Sequence, residues 1–272
     1  MSERTAVGAR GPVARLASRV ARRLRGIAAR RHPPGSLARL GASTVRINDW
    51  PNFRVMRRDI FRRRIYDFDA LSPRPRILDC GANIGVATLY FKARYPEARV
   101  VAFEPDPGVF RLLAENVARN GVAGVELVQA ALAREEGVLA FHADGRYGSS
   151  LAGAARGASP AGGSLEQVRA VRLRAFLDEP ADFAKLNVEG AEWDVLDDCG
   201  DRLRMIRELV VEYHHLPGLP RTLHSILALL DRQGFEYLLN DLDAVTNAEV
   251  EPPFRLTADT RYFQLVYARR LD

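Results

Sequence analysis

Residues 76–91 read RILDCGANIGVATLYF: a short apolar run, a turn carrying Gly81 and Gly85, and then apolar residues at a different period. A strand that enters a glycine turn and leaves as a helix is the unit from which parallel sheets covered by helices are built. Beyond Pro73 and Pro75 the chain repeats that alternation. Strands are expected at 76–80, 99–104, 125–130, 138–142, 171–174, 184–188, 207–213, 235–239 and 262–268, and helices at 84–95, 106–120, 191–198 and 222–233. In the last helix Leu223, Ile226, Leu227 and Leu230 form one apolar face, closed by Gly234. FEYLLN and YFQLVYARR have no long helix between them, which predicts a final antiparallel hairpin at the sheet edge. The fold class is therefore α/β, a mostly parallel, Rossmann-like sheet with an antiparallel C-terminal hairpin.

A chain of 272 residues with 47% hydrophobic content buries one sizeable core and a short appendage. Three segments are expected: a leader over 1–35, a lead-in packed on the core over 36–75, and a catalytic domain over 76–272. Cys80 and Cys199 cannot make a disulfide framework, and both sit in apolar surroundings, which fits a reducing, cytoplasmic setting. The longest apolar stretches, ELVVEYHH and HSILALL, fall far short of the roughly 20 residues of a membrane span.

The formal charge of +6 is a property of the leader. Residues 1–34 hold nine arginines against Glu3, a net +8, so the rest of the chain carries 6 − 8 = −2. Nucleic-acid binding is not expected. Val13, Leu16, Val20, Leu24 and Ile27 line one face of a helix whose other faces carry arginine, and Pro33, Pro34 and Gly35 end it. Two readings stand: a peripheral contact of residues 10–31 with an anionic membrane surface, at the inner membrane face, or a solvated leader with no such role. No signal-peptide core follows the arginines.

Gly81 and Gly85 let the backbone turn where a Cβ would intrude, and the helix that follows brings its positive dipole end to the same space. The spacing is Gly-x-x-x-Gly rather than G-x-G-x-x-G, with Asn83 supplying an amide in place of a middle glycine. Glu104 ends the strand RVVAFE, 104 − 81 = 23 residues beyond Gly81, where a carboxylate can accept both hydroxyls of a ribose. The Pro105-Asp106-Pro107 turn would hold an adenosine edge, and Gln129 and Ala130, after the third strand, would face the adenine from the other side.

ILDCGANIG, VVAFEPDP, ENVARNG and KLNVEGAEWDVL, in this order, resemble the FkbM family of S-adenosylmethionine-dependent methyltransferases, over about residues 54 to 240. The resemblance implies a seven-stranded class I methyltransferase sheet, S-adenosylmethionine as cofactor, and O-methylation of an acceptor hydroxyl on a sugar, glycolipid or secondary metabolite. Asp79, Gly81, Asn83, Gly85 and Glu104 fall on the family's cofactor positions. The family's KIDVEGAE is KLNVEGAE here, so Asn187 stands where the family has aspartate. Asn187 is kept as a cofactor or substrate anchor, and no metal is assigned.

Three residues at neighbouring strand ends are candidates for chemistry. Lys185 is one of two lysines, with Lys92, in a chain that otherwise uses arginine; a compact ammonium there can orient an acceptor oxygen or pair with Glu189. Glu189 opens the turn after KLNV, where helix-dipole placement is its bland explanation, as it is for Glu192. His214 or His215, just past ELVVEY, can accept the acceptor's proton. Residues 144–164, rich in Gly, Ala and Ser, read as a lid over the site or a disordered insertion. The rival classes are a nicotinamide oxidoreductase, which lacks its second glycine loop here, and a non-catalytic module that keeps the fold.

Overall fold

The computed structural model describes residues 31–143, 150–151, 164–242, 257 and 260–271. The amphipathic pattern of residues 13–27 and nearly all of the 144–164 segment lie outside them. The first described elements are a hairpin, β1 (Leu37–Leu40) and β2 (Ser43–Arg46), and helix α1 (Trp50–Met56), which Asp49 caps by accepting from Asn52 N–H at 2.7 Å. A π-helical turn, Arg57–Arg62, continues α1, so the basic segment is a strand pair followed by a helix.

The main sheet has seven strands: β3 (Arg76–Cys80), β4 (Arg99–Phe103), β5 (Val125–Val128), β10 (Ala181–Leu186), β11 (Ile206–His215), β12 (Phe235–Asp241) and β13 (Tyr262–Arg270). Their order across the sheet is β12-β13-β11-β10-β3-β4-β5. β5, β4, β3, β10 and β11 run parallel, and β13 lies antiparallel between β11 and the edge strand β12. Every residue of β3 is buried, as expected of a central strand covered on both faces. β12 buries only Phe235.

Between these strands lie α2 (Val86–Arg94), α3 (Pro107–Arg119), α4 (Glu192–Cys199) and α5 (Leu223–Arg232). Side chains alternate along each strand, so one sheet face collects Leu78, Ala184, Leu186, Leu209 and Val211 against α4 and α5. The other collects Ile77, Phe183, Val210 and Leu265 against α2 and the lead-in. Phe68 of the lead-in stacks on Phe183 at a centroid distance of 4.6 Å, which locks residues 65–68 onto this second face.

Several boundaries and sheet assignments differ from the sequence reading. Helix α2 begins at Val86 rather than 84, because Gly85 takes a left-handed conformation (φ 88°) as its cap. β10 begins at Ala181, directly after Pro180, and stops at Leu186, so Asn187 and Val188 form the turn beyond it. The segments expected as strands at 138–142 and 171–174 are not in the main sheet. β7 (Gly137–Ala143) and β9 (Ser164–Val171) join β6 (Ala131–Leu132) and β8 (Ser150–Leu151) in a separate four-stranded sheet, and 173–176 is a 3-10 turn. Strand periodicity carries no information about which sheet a strand joins. Among the described residues no helix is long and apolar enough to cross a membrane.

Candidate active site

The same alternation that builds the second face carries Asp79 of β3, Lys185 of β10, and Glu212 and His214 of β11 onto it at the C-terminal strand ends. A cavity of about 470 Å³ opens there. Gly81, Ala82, Asn83, Glu104, Pro105 and Ala130 line one half; Val55, Met56, Asp59, Ile60, Ile65 and Tyr66 of the lead-in line the other. Lys185, Asn187, Glu189 and Glu212 sit on its wall, and Ala131, Leu132 and Phe141 bring the small sheet to its edge.

The glycine loop is held from behind. Gly81 has φ 86°, and a Cβ on it would lie 1.9 Å from the carbonyl oxygen of Asn187, so only glycine lets the loop pass β10. Gly85 serves packing rather than ligand approach: its Cβ would meet Leu113 of α3 at 2.8 Å, and it does not line the cavity. Asn83 (φ 50°) uses its side-chain oxygen to accept from Ile84 N–H at 2.8 Å.

Asp79 is fully buried and does not reach the cavity. It accepts from Thr88 Oγ1 at 2.6 Å and from Lys185 Nζ at 3.1 Å. Lys185 also donates to the Gly81 carbonyl at 2.6 Å. The expected Lys185–Glu189 pair is therefore replaced by Lys185–Asp79, and the ammonium holds the loop. The other lysine, Lys92, is likewise buried and donates to the Pro96 and Ala98 carbonyls at 2.7 Å each. Both lysines stand where a compact three-donor cation fits and a planar guanidinium does not.

Glu104 accepts from the backbone N–H of Asn83 and of Asp106, one on each oxygen, both at 2.9 Å. Burial pushes its carboxyl up to about 7. Asp106 spends one oxygen on the first N–H groups of α3, from Gly108 and Val109, and is a helix cap outside the cavity lining. Ala130 lines the cavity, whereas Gln129 is exposed and does not.

Glu189 adopts φ 51°, a left-handed conformation for a non-glycine residue, and this aims it at the cavity wall. His214 lies behind it: Nδ1 is 2.8 Å from Glu192 Oε1, and Nε2 is 3.6 Å from Glu189 Oε2. Burial alone would lower the imidazole, but the carboxylates of Glu189, Glu192 and Glu212 outweigh it and raise His214 to about 10. Already protonated at neutral pH and outside the cavity lining, His214 does not act as the expected proton acceptor; it anchors Glu189. Glu192, read as a dipole residue, is buried and also accepts from Gly190 N–H at 3.0 Å. His215 points the other way and stacks on Tyr262 at 4.7 Å.

Glu212, which has no assigned role in the sequence, completes the wall with Asn187. Glu212 is buried, accepts from Tyr66 Oη, and accepts from Asn187 Nδ2 at 2.9 Å. Burial raises its carboxyl to about 7 despite the His214 charge. The signal for Glu212 was a carboxylate two residues before His214 in an otherwise apolar strand, on the same alternating face. Asn187 keeps one atom in hand: its Oδ1 is buried and accepts no hydrogen bond among the described residues. Of the lead-in aromatics, Tyr66 reaches the cavity, while Trp50, Phe53 and Phe61 pack in the core.

Strand order, the single reversed strand, the glycine turn after the first sheet strand and the carboxylate after the second together define a class I, S-adenosylmethionine-dependent methyltransferase. Residues 79–237 match the Methyltransferase FkbM domain, and the chain belongs to that family. It is 31% identical over 215 residues to Methyltransferase sdnD of Sordaria araneosa, covering 66% of this chain and 80% of that one. It is 29% identical over 228 residues to the 31-O-demethyl-FK506 methyltransferase FkbM of Streptomyces tacrolimicus, covering 72% and 86%. The crystal structure of a methyltransferase FkbM from Methylobacillus flagellatus KT superposes with a TM-score of 0.47 at 15% identity, over 74% of this chain and 45% of that one.

The residues present fit the cofactor. Small side chains line the loop half of the cavity, Glu104 retains acceptor capacity on both oxygens for ribose hydroxyls, and the orphaned Asn187 oxygen awaits a donor.

Proposed function

We propose that this chain methylates the hydroxyl oxygen of a mostly apolar small molecule of the secondary-metabolite kind. The observation that carries this reading is the cavity shared by the glycine loop and the lead-in, where Val55, Met56, Ile60 and Ile65 supply apolar surface and Asn187, Glu189 and Glu212 line the same wall. Val55, Met56, Ile60 and Ile65 give this half an apolar surface suited to a hydrocarbon skeleton, while Asp49, Asn52, Arg58 and Asp59 supply a few polar groups that can fix its orientation. The name of one relative, a 31-O-demethyl-FK506 methyltransferase, describes transfer to oxygen.

Bound S-adenosylmethionine supplies a methyl group already activated on a sulfonium. The protein's part is then alignment and exclusion of water. Lys185 and Asp79 set the loop, Glu104 takes the ribose, and Glu189, held by protonated His214, and Asn187 form the wall that the acceptor hydroxyl meets.

The test is incubation of the protein and S-adenosylmethionine with a panel of hydroxylated polyketides and terpenoids beside a panel of glycans and glycolipids. A one-methyl mass gain on the apolar panel, placed on oxygen by NMR, is expected. Methylation at nitrogen or carbon, or turnover of the glycan panel alone, would overturn the reading.

A further inference from the structure

We propose that Glu212 is the general base that removes the proton of the acceptor hydroxyl, with Tyr66 and Asn187 as its positioning residues. The inference rests on the methyl-transfer reading above. Glu212 is a buried carboxylate on the cavity wall, at the junction of the loop half and the apolar half. Its two oxygens are oriented by donors from two separate elements, Tyr66 Oη of the lead-in and Asn187 Nδ2 beyond β10. Each oxygen keeps a second lone pair for the hydroxyl.

Two of the other candidates are cations held by carboxylates, and the third, Glu189, faces His214 Nε2 at 3.6 Å and is the rival that the test must separate. Lys185 is a cation bound to Asp79 and the Gly81 carbonyl, and His214 is a cation between Glu189 and Glu192. In the step, the acceptor O–H bond breaks and its proton passes to a Glu212 oxygen. The hydroxyl oxygen bonds the methyl carbon with its electron pair, the carbon–sulfur pair stays on sulfur, and the sulfonium charge is lost as the carboxylate charge is neutralised. The charges that act on Glu212 come from His214 on β11 and Asp59 of the lead-in, and the Glu212 carboxylate in turn helps raise the Tyr267 phenol on β13. Lys185 Nζ stands 5.8 Å from the Tyr66 ring. With its carboxyl at about 7, Glu212 is half ionised at neutral pH, the range in which a base works best.

No acceptor is needed for the test, which compares S-adenosylmethionine with S-adenosylhomocysteine. Only the former brings a positive charge to the transfer end, and that charge drives the proton off a neighbouring carboxyl. Calorimetry at pH 7 in buffers of different ionisation heat should show that S-adenosylmethionine releases about half a proton more than S-adenosylhomocysteine. Any release from Glu104 at the ribose is common to both ligands and cancels. Glu212→Gln should bind S-adenosylhomocysteine within about threefold of the parent, bind S-adenosylmethionine roughly tenfold more weakly because the attracting carboxylate is gone, and abolish the difference in proton release. Tyr66→Phe keeps the carboxylate but removes a donor, so the pH at which the difference is greatest should move upward.

Equal proton release by the two ligands in the parent would overturn the assignment. A difference that persists in Glu212→Gln would overturn it too and point to Glu189. Binding of neither ligand would overturn the methyl-transfer reading itself, and this inference with it.

Discussion

Lys185 Nζ sits 3.1 Å from Asp79 Oδ1 and 2.6 Å from the Gly81 carbonyl oxygen, so one ammonium ties the central strand, its neighbour and the glycine loop together. Lys185→Met would leave Asp79 buried beside Thr88 alone. A loss of about 3–5 kcal/mol is expected in denaturant unfolding, because an uncompensated buried charge remains. The double change Lys185→Met with Asp79→Leu should recover part of that loss.

Gly81→Ala places a methyl against the Asn187 carbonyl at a positive φ, and should cost about 2–4 kcal/mol together with cofactor binding. Gly121 also has positive φ, but a Cβ there meets nothing within 4 Å. Gly121→Ala should therefore cost only about 1–2 kcal/mol and leave binding unchanged in the same calorimetric assay.

The Glu104 carboxyl, raised by burial from 4.5 to about 7, makes the ligand-free protein less stable as pH rises through that window. The folded state holds the proton more tightly than the unfolded chain, so the contribution fully present below 4.5 is lost by about 7, on the order of 3 kcal/mol. Ribose hydroxyls donate to the ionised form, so S-adenosylmethionine affinity should rise over the same interval. Unfolding and binding series from pH 5 to 8 check this: Glu104→Gln should remove about half of each slope, the remainder coming from Glu212, which burial raises over the same window, and slopes parallel to the parent's would refute it.

Asn187→Asp restores the residue of the resembled family and sets a second carboxylate about 3 Å from Glu212 Oε2. Two carboxyls at that distance share a proton, so the pair should hold it to a higher pH than Glu212 does now. Infrared titration of the buried carboxyl band should show a midpoint at least one unit above that of the parent, and stability should fall more steeply above neutral pH.

The main sheet was legible because β3, β4, β11 and α5 carry their patterns undiluted, and the final hairpin could be read from the lack of a long helical pattern between its strands. Glu104 and the glycine loop were legible for a related reason: the turn after a parallel strand admits few residue types. The partners were not. Whether Lys185 meets Asp79 or Glu189 depends on the register Lys185↔Asp79, and whether His214 is base or cation depends on which carboxylates fold back on it. Gln129 and Ala130 are adjacent in sequence, yet only one turns inward. Asp106, alike in composition to a ligand residue, is spent on a helix end.

The lead-in helix and Tyr66 lie wholly upstream of residues 79–237, the stretch that matches the family domain. In the proposed reading, methyl-donor handling and the roof over the acceptor are thus written in separate stretches of one chain. Because Phe53, Ile60, Ile65 and Tyr66 are also core residues, exchanging the cavity-facing Val55 and Met56 between relatives, with those four kept, is the change that reaches the acceptor side while the loop, Glu104 and the Lys185–Asp79 pair stay untouched.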